Sequence, residues 1–243
     1  QTRIADMNRF APEETSFKAL FFGRHGQGYR AVINLFSLLS RHYSRISGDA
    51  EITWGPDPLL TSLGMDQAKQ VRAACSAEIP HGIPVPQRCY SSPLDRALTT
   101  WRITLSEDDI LGPRETRRVL VLEAREFIAH WEKHQDFRET YGEHTCDKRH
   151  PLSVIQHSFP PPTYEYEIGM SEEDVLYRSE ERESEDHVIE RAISVLDRTF
   201  DVVDDTFISM TGHGGIINGF LRGMGHGYYS LPTGGEFENR VHK

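Results

Sequence analysis

Two short apolar runs of this chain stop at the same kind of boundary. Lys18-Ala19-Leu20-Phe21-Phe22 ends in Gly23-Arg24-His25-Gly26, and Thr206-Phe207-Ile208-Ser209-Met210 ends, after Thr211, in Gly212-His213-Gly214-Gly215. Runs this short, bounded by glycine, have the length of a buried strand rather than of a core helix. Strands buried on both faces belong to parallel sheets covered by helices, where the loops leaving the C-terminal strand ends meet at one crevice. The pattern therefore points to an α/β layer architecture and brings two histidines toward one edge of the sheet.

The rest of the chain fits that frame. Val32, Leu35, Phe36, Leu38 and Leu39 recur at helical spacing and predict an amphipathic helix over 29–43, carrying Asn34. The polar, proline-containing stretch 47–58 reads as loop, and Thr61 followed by Gly64, Ala68, Val71 and Ala74 predicts an N-capped helix to about residue 77. Alternation from Pro84 to Tyr90 predicts a second strand, and Ser91-Ser92-Pro93 leads into a proline-started helix bearing Arg96, Ala97 and Trp101. A third short run covers 119–122. Residues 123–187 are rich in charge and proline and lack an apolar period long enough for a core of their own, which predicts a lid-like insertion within one domain, 1–243. Helical spacing resumes at Val188, Ile189, Ala192, Val195 and Leu196, and a last apolar helix covers 216–221. The strand–helix alternation predicts a three-layer sandwich: a mostly parallel central sheet, helices on both faces, and the lid.

Composition narrows the function. With 27 Lys+Arg against 37 Asp+Glu the formal net charge is −10, which weighs against nucleic acid as the main partner, since duplex binding draws on basic side chains. No apolar run approaches the roughly 18 residues of a membrane span. Cys75, Cys89 and Cys146 are too scattered for a disulfide framework or a zinc knuckle, and His144, Cys146 and Asp147 share one short segment that reads as a structural loop, so neither a metal nor a cofactor is expected. Reduced thiols, and an N-terminus lacking the basic-then-apolar order of a secretory signal, lead to an expectation of a cytoplasmic protein, one that depends on the native N-terminus because the chain opens on Gln1. Net acidity does not forbid a small anionic substrate, because a few convergent arginines make a locally positive pocket. Arg24 beside His25, Arg96 one turn into its helix, and His213 form such a set, suited to phosphate.

These residues stand in an order that resembles the histidine phosphatase superfamily, also called phosphoglycerate-mutase-like, and most closely its fungal members. Phe22-Gly-Arg-His-Gly-Gln-Gly-Tyr29 looks like the opening Arg-His-Gly box, and Trp54-Gly-Pro-Asp-Pro-Leu-Leu-Thr-Ser-Leu-Gly64 with Gln67-Ala68 is similar to the segment that follows. Ser91-Ser-Pro-Leu-Asp-Arg-Ala-Leu-Thr-Thr100 resembles the second arginine box. Arg138-Glu-Thr-Tyr-Gly-Glu-His-Thr-Cys-Asp-Lys-Arg149 resembles the acidic segment, and Thr211-Gly-His-Gly-Gly215 the second histidine box. The sequence departs from the pattern at Arg30 and Ala31, where fungal relatives often read His-Asn, and at Gly227, where an arginine is expected.

The resemblance implies a metal-independent phosphomonoesterase acting on a small phosphorylated substrate. His25 is then the nucleophile, presenting a neutral ring nitrogen whose protonation Arg24 and Arg96 oppose. Arg24, Arg96 and His213 form the phosphate pocket, with His213 held charged by the bound dianion. Glu139 is the proton donor, with Glu126 the competing glutamate nearer the third strand, and residues 127–137 an insertion bearing Trp131. Gln27, Tyr29, Arg30 and Asn34 are candidate specificity residues. Three alternatives stay open: a phosphoglycerate-type mutase, a phosphate-ester-binding protein without turnover, and a biosynthetic protein reusing the scaffold.

Overall fold

The computed structural model of the protein describes residues 2–29, 45–49, 52–106, 110–111, 119–121 and 137–242. Among these, six strands form one sheet: β1 (Phe17–Arg24), β2 (Arg88–Ser91), β3 (Val119–Val121), β4 (Tyr164–Tyr166), β5 (Phe207–Gly212) and β6 (Glu236–His242), in the order β4-β3-β2-β5-β1-β6. The first five run parallel, and β6 pairs antiparallel with β1 at one edge. The helices are α1 (Thr2–Arg9), α2 (Ser62–Glu78), α3 (Asp95–Trp101), α4 (Leu152–Ser158), α5 (Glu185–Val202) and α6 (Gly214–Gly223).

Alternation along the strands builds the two faces. Leu20 and Phe22 of β1, Tyr90 of β2, and Ile208 and Met210 of β5 pack with Val188 and Ala192 of α5 and Ile217 and Phe220 of α6. The intervening residues turn to the other side, where Cys89, Val119 and Val121 meet Leu98 and Trp101 of α3, and Ala19 and Phe21 meet Ile4 of α1. Each of the large apolar side chains so enclosed contributes roughly 1.5–3 kcal/mol by leaving water. This is the expected three-layer α/β sandwich with a mostly parallel centre.

Local chemistry sets the element ends. Thr61 caps α2 as its spacing predicts, its Oγ1 accepting from Gly64 N at 3.0 Å. Ser184 caps α5 by accepting from His187 N, with Glu185 and Asp186 in the first turn against the positive helix end, so α5 starts before its apolar stripe. β2 starts at Arg88 rather than Pro84, because Pro84 and Pro86 have no amide hydrogen to give a ladder.

Residues 137–187, expected within a lid, are built into the body instead. They supply edge strand β4, paired with β3, and the core side chains Phe137, Ile155, Phe159 and Tyr164. Two of their charged residues are buried as a pair: Arg138 grips Asp174 with two nitrogens at 2.7 Å, and both side chains are fully enclosed. Arg149 donates to the carbonyls of His150, Ser171, Glu172 and Glu173. The expected helix over 29–43 beyond Tyr29, with Arg30, Ala31 and Asn34, lies outside the described residues, as do Glu126, Trp131 and the rest of 122–136.

Candidate functional site

Three neighbouring strands, β2, β5 and β1, end at one level. Ser91 and Gly23 both sit opposite Thr211, and the ladder continues past the strands, with Ser92 N donating to Thr211 O and His25 N to Gly212 O, each at 3.0 Å. Ser92, His213 and the Arg24-His25 pair therefore emerge side by side at the C-terminal sheet edge. The His25 and His213 rings stand 4.9 Å apart between centroids, inclined by 59°.

Gly26 and Gly64 let the loop after β1 settle against the start of α2. A Cβ on Gly26 would lie 2.3 Å from Gly64 O, and one on Gly64 2.1 Å from Gln27 O. Thr100 of α3 steadies the same loop by accepting from Gly26 N. His25 is then held through its ring, Nδ1 lying 2.6 Å from Gly26 O. A carbonyl oxygen only accepts, so Nδ1 carries the hydrogen and the neutral ring keeps its lone pair on Nε2. Burial first, then Arg96, push the His25 pKa well below its usual value, against the opposing Gly26 bond, with Arg24 adding to the depression. The neutral form expected from the arginines is thus favoured, with burial ahead of the arginines as its cause.

His213 is fully buried and also driven toward the neutral form, by burial, Arg96 and the His25 ring in that order. The charged form expected with a bound dianion is not the form that these protein surroundings favour by themselves. Its Nε2 lies 2.7 Å from Ser92 Oγ, while Nδ1 is buried without a hydrogen-bond partner among the described residues.

The two arginines differ in how they are held. Arg24 donates from Nη1 to Leu231 O at 2.6 Å, and its buried Nε has no hydrogen-bond partner among the described residues. A Cβ on Gly214 would be 3.4 Å from its Cζ, which places the guanidinium against the start of α6. Arg96 donates from Nη1 to Cys146 O at 2.8 Å and from Nη2 to Asp147 Oδ1 at 3.1 Å, with Asp57 Oδ1 at 3.8 Å. Burial pushes the Asp57 pKa up to about 7 against the pull of Arg96. Asp147, read from the sequence only as part of a structural loop, has a contact to the site that the sequence does not show: its carboxylate bridges Arg96 and Arg182, the latter at 2.8 Å. It stands in the acidic box, behind Arg138, which donates to Asp147 O.

Glu139 reaches the same edge from the other side. Its Oε1 accepts from Thr140 N at 2.9 Å and from Gly215 N, in the first turn of α6, at 3.1 Å. Only glycine permits this approach, since a Cβ on Gly215 would stand 2.1 Å from that oxygen. Gln27 is turned to structure, its Oε1 accepting from Thr61 Oγ1 at 3.0 Å, and Tyr29 is partly exposed on a cavity wall shared with Asp57, Leu59 and His150.

Histidine and arginine thus gather at the C-terminal edge of a parallel sheet, beside a carboxylate at a helix N-terminus, the place where α/β folds commonly bind anions. The profile of the histidine phosphatase superfamily (branch 1) matches residues 20–231, and the chain belongs to that family. It is 34% identical over 235 residues to a probable phosphoglycerate mutase of Arthroderma benhamiae, covering 96% of this chain and 65% of that protein. It is 32% identical over 222 residues to phosphomutase-like protein 3 of Candida albicans, covering 90% and 63%. The chain thus spans under two thirds of the length of both. A putative alpha-ribazole-5'-P phosphatase from Escherichia coli shares the fold, with a TM-score of 0.52 over 92% of this chain and 90% of that one, at 16% identity. Among the described residues, no helix is long and apolar enough to cross a membrane.

Proposed function

We propose that this chain is a phosphomonoesterase, a single catalytic domain that hydrolyses a small phosphate ester through a phosphohistidine at His25. The observation that carries the reading is the Nδ1 contact to Gly26 O, which leaves the Nε2 lone pair of a neutral imidazole beside two guanidinium groups. Nε2 attacks phosphorus as the bond to the leaving oxygen breaks, and Glu139 gives that oxygen its proton. Water then attacks the phosphohistidine and passes its proton to Glu139, the N–P bond breaks, and inorganic phosphate and the starting imidazole result. With Oε1 engaged as an acceptor, Oε2 is the Glu139 oxygen that exchanges the proton.

Arg24, Arg96 and His213 bind the phosphoryl oxygens and stabilise their charge during in-line transfer. Two of Arg96's five N–H hydrogens are committed to Cys146 and Asp147, which orients the group and leaves the others for substrate. These cations take the part that a metal plays in other phosphoryl-transfer sites, so turnover should survive a chelator. The test is hydrolysis of an aryl phosphate with chelator present. Release of phosphate that His25→Ala abolishes supports the reading; inactivity across a broad phosphate-ester panel, or an active His25→Ala, rejects it.

The names of the fungal relatives favour a second reading, a mutase that returns the phosphoryl group to a reoriented product. Conversion of 3- to 2-phosphoglycerate with negligible free phosphate would select it.

A further inference from the structure

The two histidines are hydrogen-bonded through opposite ring nitrogens to partners of different chemistry. Nδ1 of His25 faces a carbonyl, which accepts only; Nε2 of His213 faces the Ser92 hydroxyl, which both gives and accepts. Ser92 Oγ also stands 3.4 Å from Leu94 N, a donor, so one of its acceptor positions faces that amide and its hydrogen is available to the imidazole. Both side chains are completely enclosed, with relative exposures of 0% for Ser92 and His213, and water does not compete for the contact. The remaining nitrogen, His213 Nδ1, is a buried polar atom without a hydrogen-bond partner among the described residues, on a ring 4.9 Å from that of His25. An orphaned buried donor is costly and calls for a missing partner.

We propose that Ser92 is a positioning residue that keeps the hydrogen of His213 on Nδ1, making Nδ1–H a donor to the phosphoryl group. The inference rests on the phosphatase reading above and goes beyond it by assigning the tautomer and the residue that sets it. In the neutral ring the Ser92 hydroxyl donates to the Nε2 lone pair, leaving Nδ1 protonated. If a bound dianion charges the ring, the added proton sits on Nε2 and the hydroxyl turns to accept it. In both states the hydrogen on Nδ1 persists, which a carbonyl or carboxylate at the Ser92 position would not secure in the neutral state. Partner chemistry thus divides the pair: a lone pair on His25 Nε2, a hydrogen on His213 Nδ1.

The test begins with the unmodified protein. Nitrogen-15 NMR of the histidine rings near pH 7, with His213 assigned by its loss in His213→Gln, should show hydrogen on Nδ1 and none on Nε2 before phosphate is added. On titration with inorganic phosphate the Nδ1 hydrogen should shift and exchange more slowly. Hydrogen on Nε2 alone overturns the proposal whether or not the protein turns substrate over, so its failure is distinct from failure of the phosphatase reading. In Ser92→Ala the fixed tautomer should be lost and kcat should fall about 10- to 100-fold, the scale on which outer partners that orient a histidine commonly act. Ser92→Thr, which keeps the hydroxyl, should recover most of it. Wild-type kcat in folded Ser92→Ala, with the tautomer unchanged, also overturns the proposal.

Discussion

Glu139 Oε1 accepts a hydrogen bond from Gly215 N at 3.1 Å, tying the acidic box of the chain to the helix that follows His213. The two bonded residues are 76 apart in sequence. The contact aims a carboxylate at the positive end of α6, beside the backbone that carries the second histidine.

If Glu139 serves the leaving group, Glu139→Gln should be selective. Esters with poor alkoxide leaving groups should lose roughly 10²- to 10⁴-fold in the first chemical step, the usual worth of a general acid. Aryl phosphates, which expel a stabilised phenolate, should lose far less in that step, while hydrolysis of their phosphoenzyme slows. Burst kinetics with the two substrate types separate these effects; equal losses for both contradict the assignment. Glu126→Gln should leave both nearly unchanged.

Gly215→Ala should reproduce part of that defect without touching Glu139 itself. The new methyl would stand 2.1 Å from Oε1 and 2.6 Å from Thr140 Oγ1, so the carboxylate has to move. A displacement near 1 Å costs up to about 10²-fold in rate. The expected result is a lower kcat for alkyl esters with unchanged affinity for inorganic phosphate, measured by calorimetry.

The pH profile should reflect the buried nucleophile. The His25 pKa lies well below its usual 6.5, chiefly through burial and then Arg96, and the neutral ring is the reactive one, so activity is lost only as pH falls through that lowered value. With an aryl phosphate, whose leaving group needs little protonation, and after correction for the second ionisation of the ester, near pH 6, kcat/KM should stay level from pH 7 down through 6.5. An acidic limb for the enzyme at 6.5 or above would contradict this.

The Arg138–Asp174 pair should govern stability. Burial opposes ionisation of Asp174, but Arg138 and the Arg149 amide outweigh it and hold its pKa below the usual 3.8. Its contribution is therefore present above pH 3.8 and lost as pH falls through the lower folded-state value. Asp174→Ala removes the carboxylate that two Arg138 nitrogens grip inside the protein and should cost about 3–5 kcal/mol at neutral pH in denaturant titration. The difference from wild type should narrow in strong acid.

Sequence and structure agree where short-range signals are strong. The apolar runs before Gly23 and Gly212 are strands, and Thr61 caps its helix, because burial and capping act within a few residues. They part at residues 137–187. Charge there reads as solvated, since single charges avoid burial, yet Arg138, Asp147, Arg149 and Asp174 are enclosed through partners up to 51 residues away, including Arg96. A pairing at that distance leaves no periodic trace. Short strand β4, three residues long, exists because β3 offers an edge beside it, again a tertiary cause. His25, His213, Arg24 and Arg96 lie together at the sheet edge to which their strand-end and helix positions in the sequence point. The service of Ser92 and Asp147 to them depends on the strand register and on which nitrogen faces which oxygen.

The central claim is that a phosphoryl group passes through His25, and rapid quenching of turnover tests it most directly. Mixing the protein with a phosphate ester labelled in its phosphoryl group, quenching in alkali within the first turnovers and mapping the label by mass spectrometry should locate an acid-labile, alkali-stable phosphoryl group on His25. His25→Ala should carry none. Turnover without label on His25, or label that persists in His25→Ala, would contradict the account.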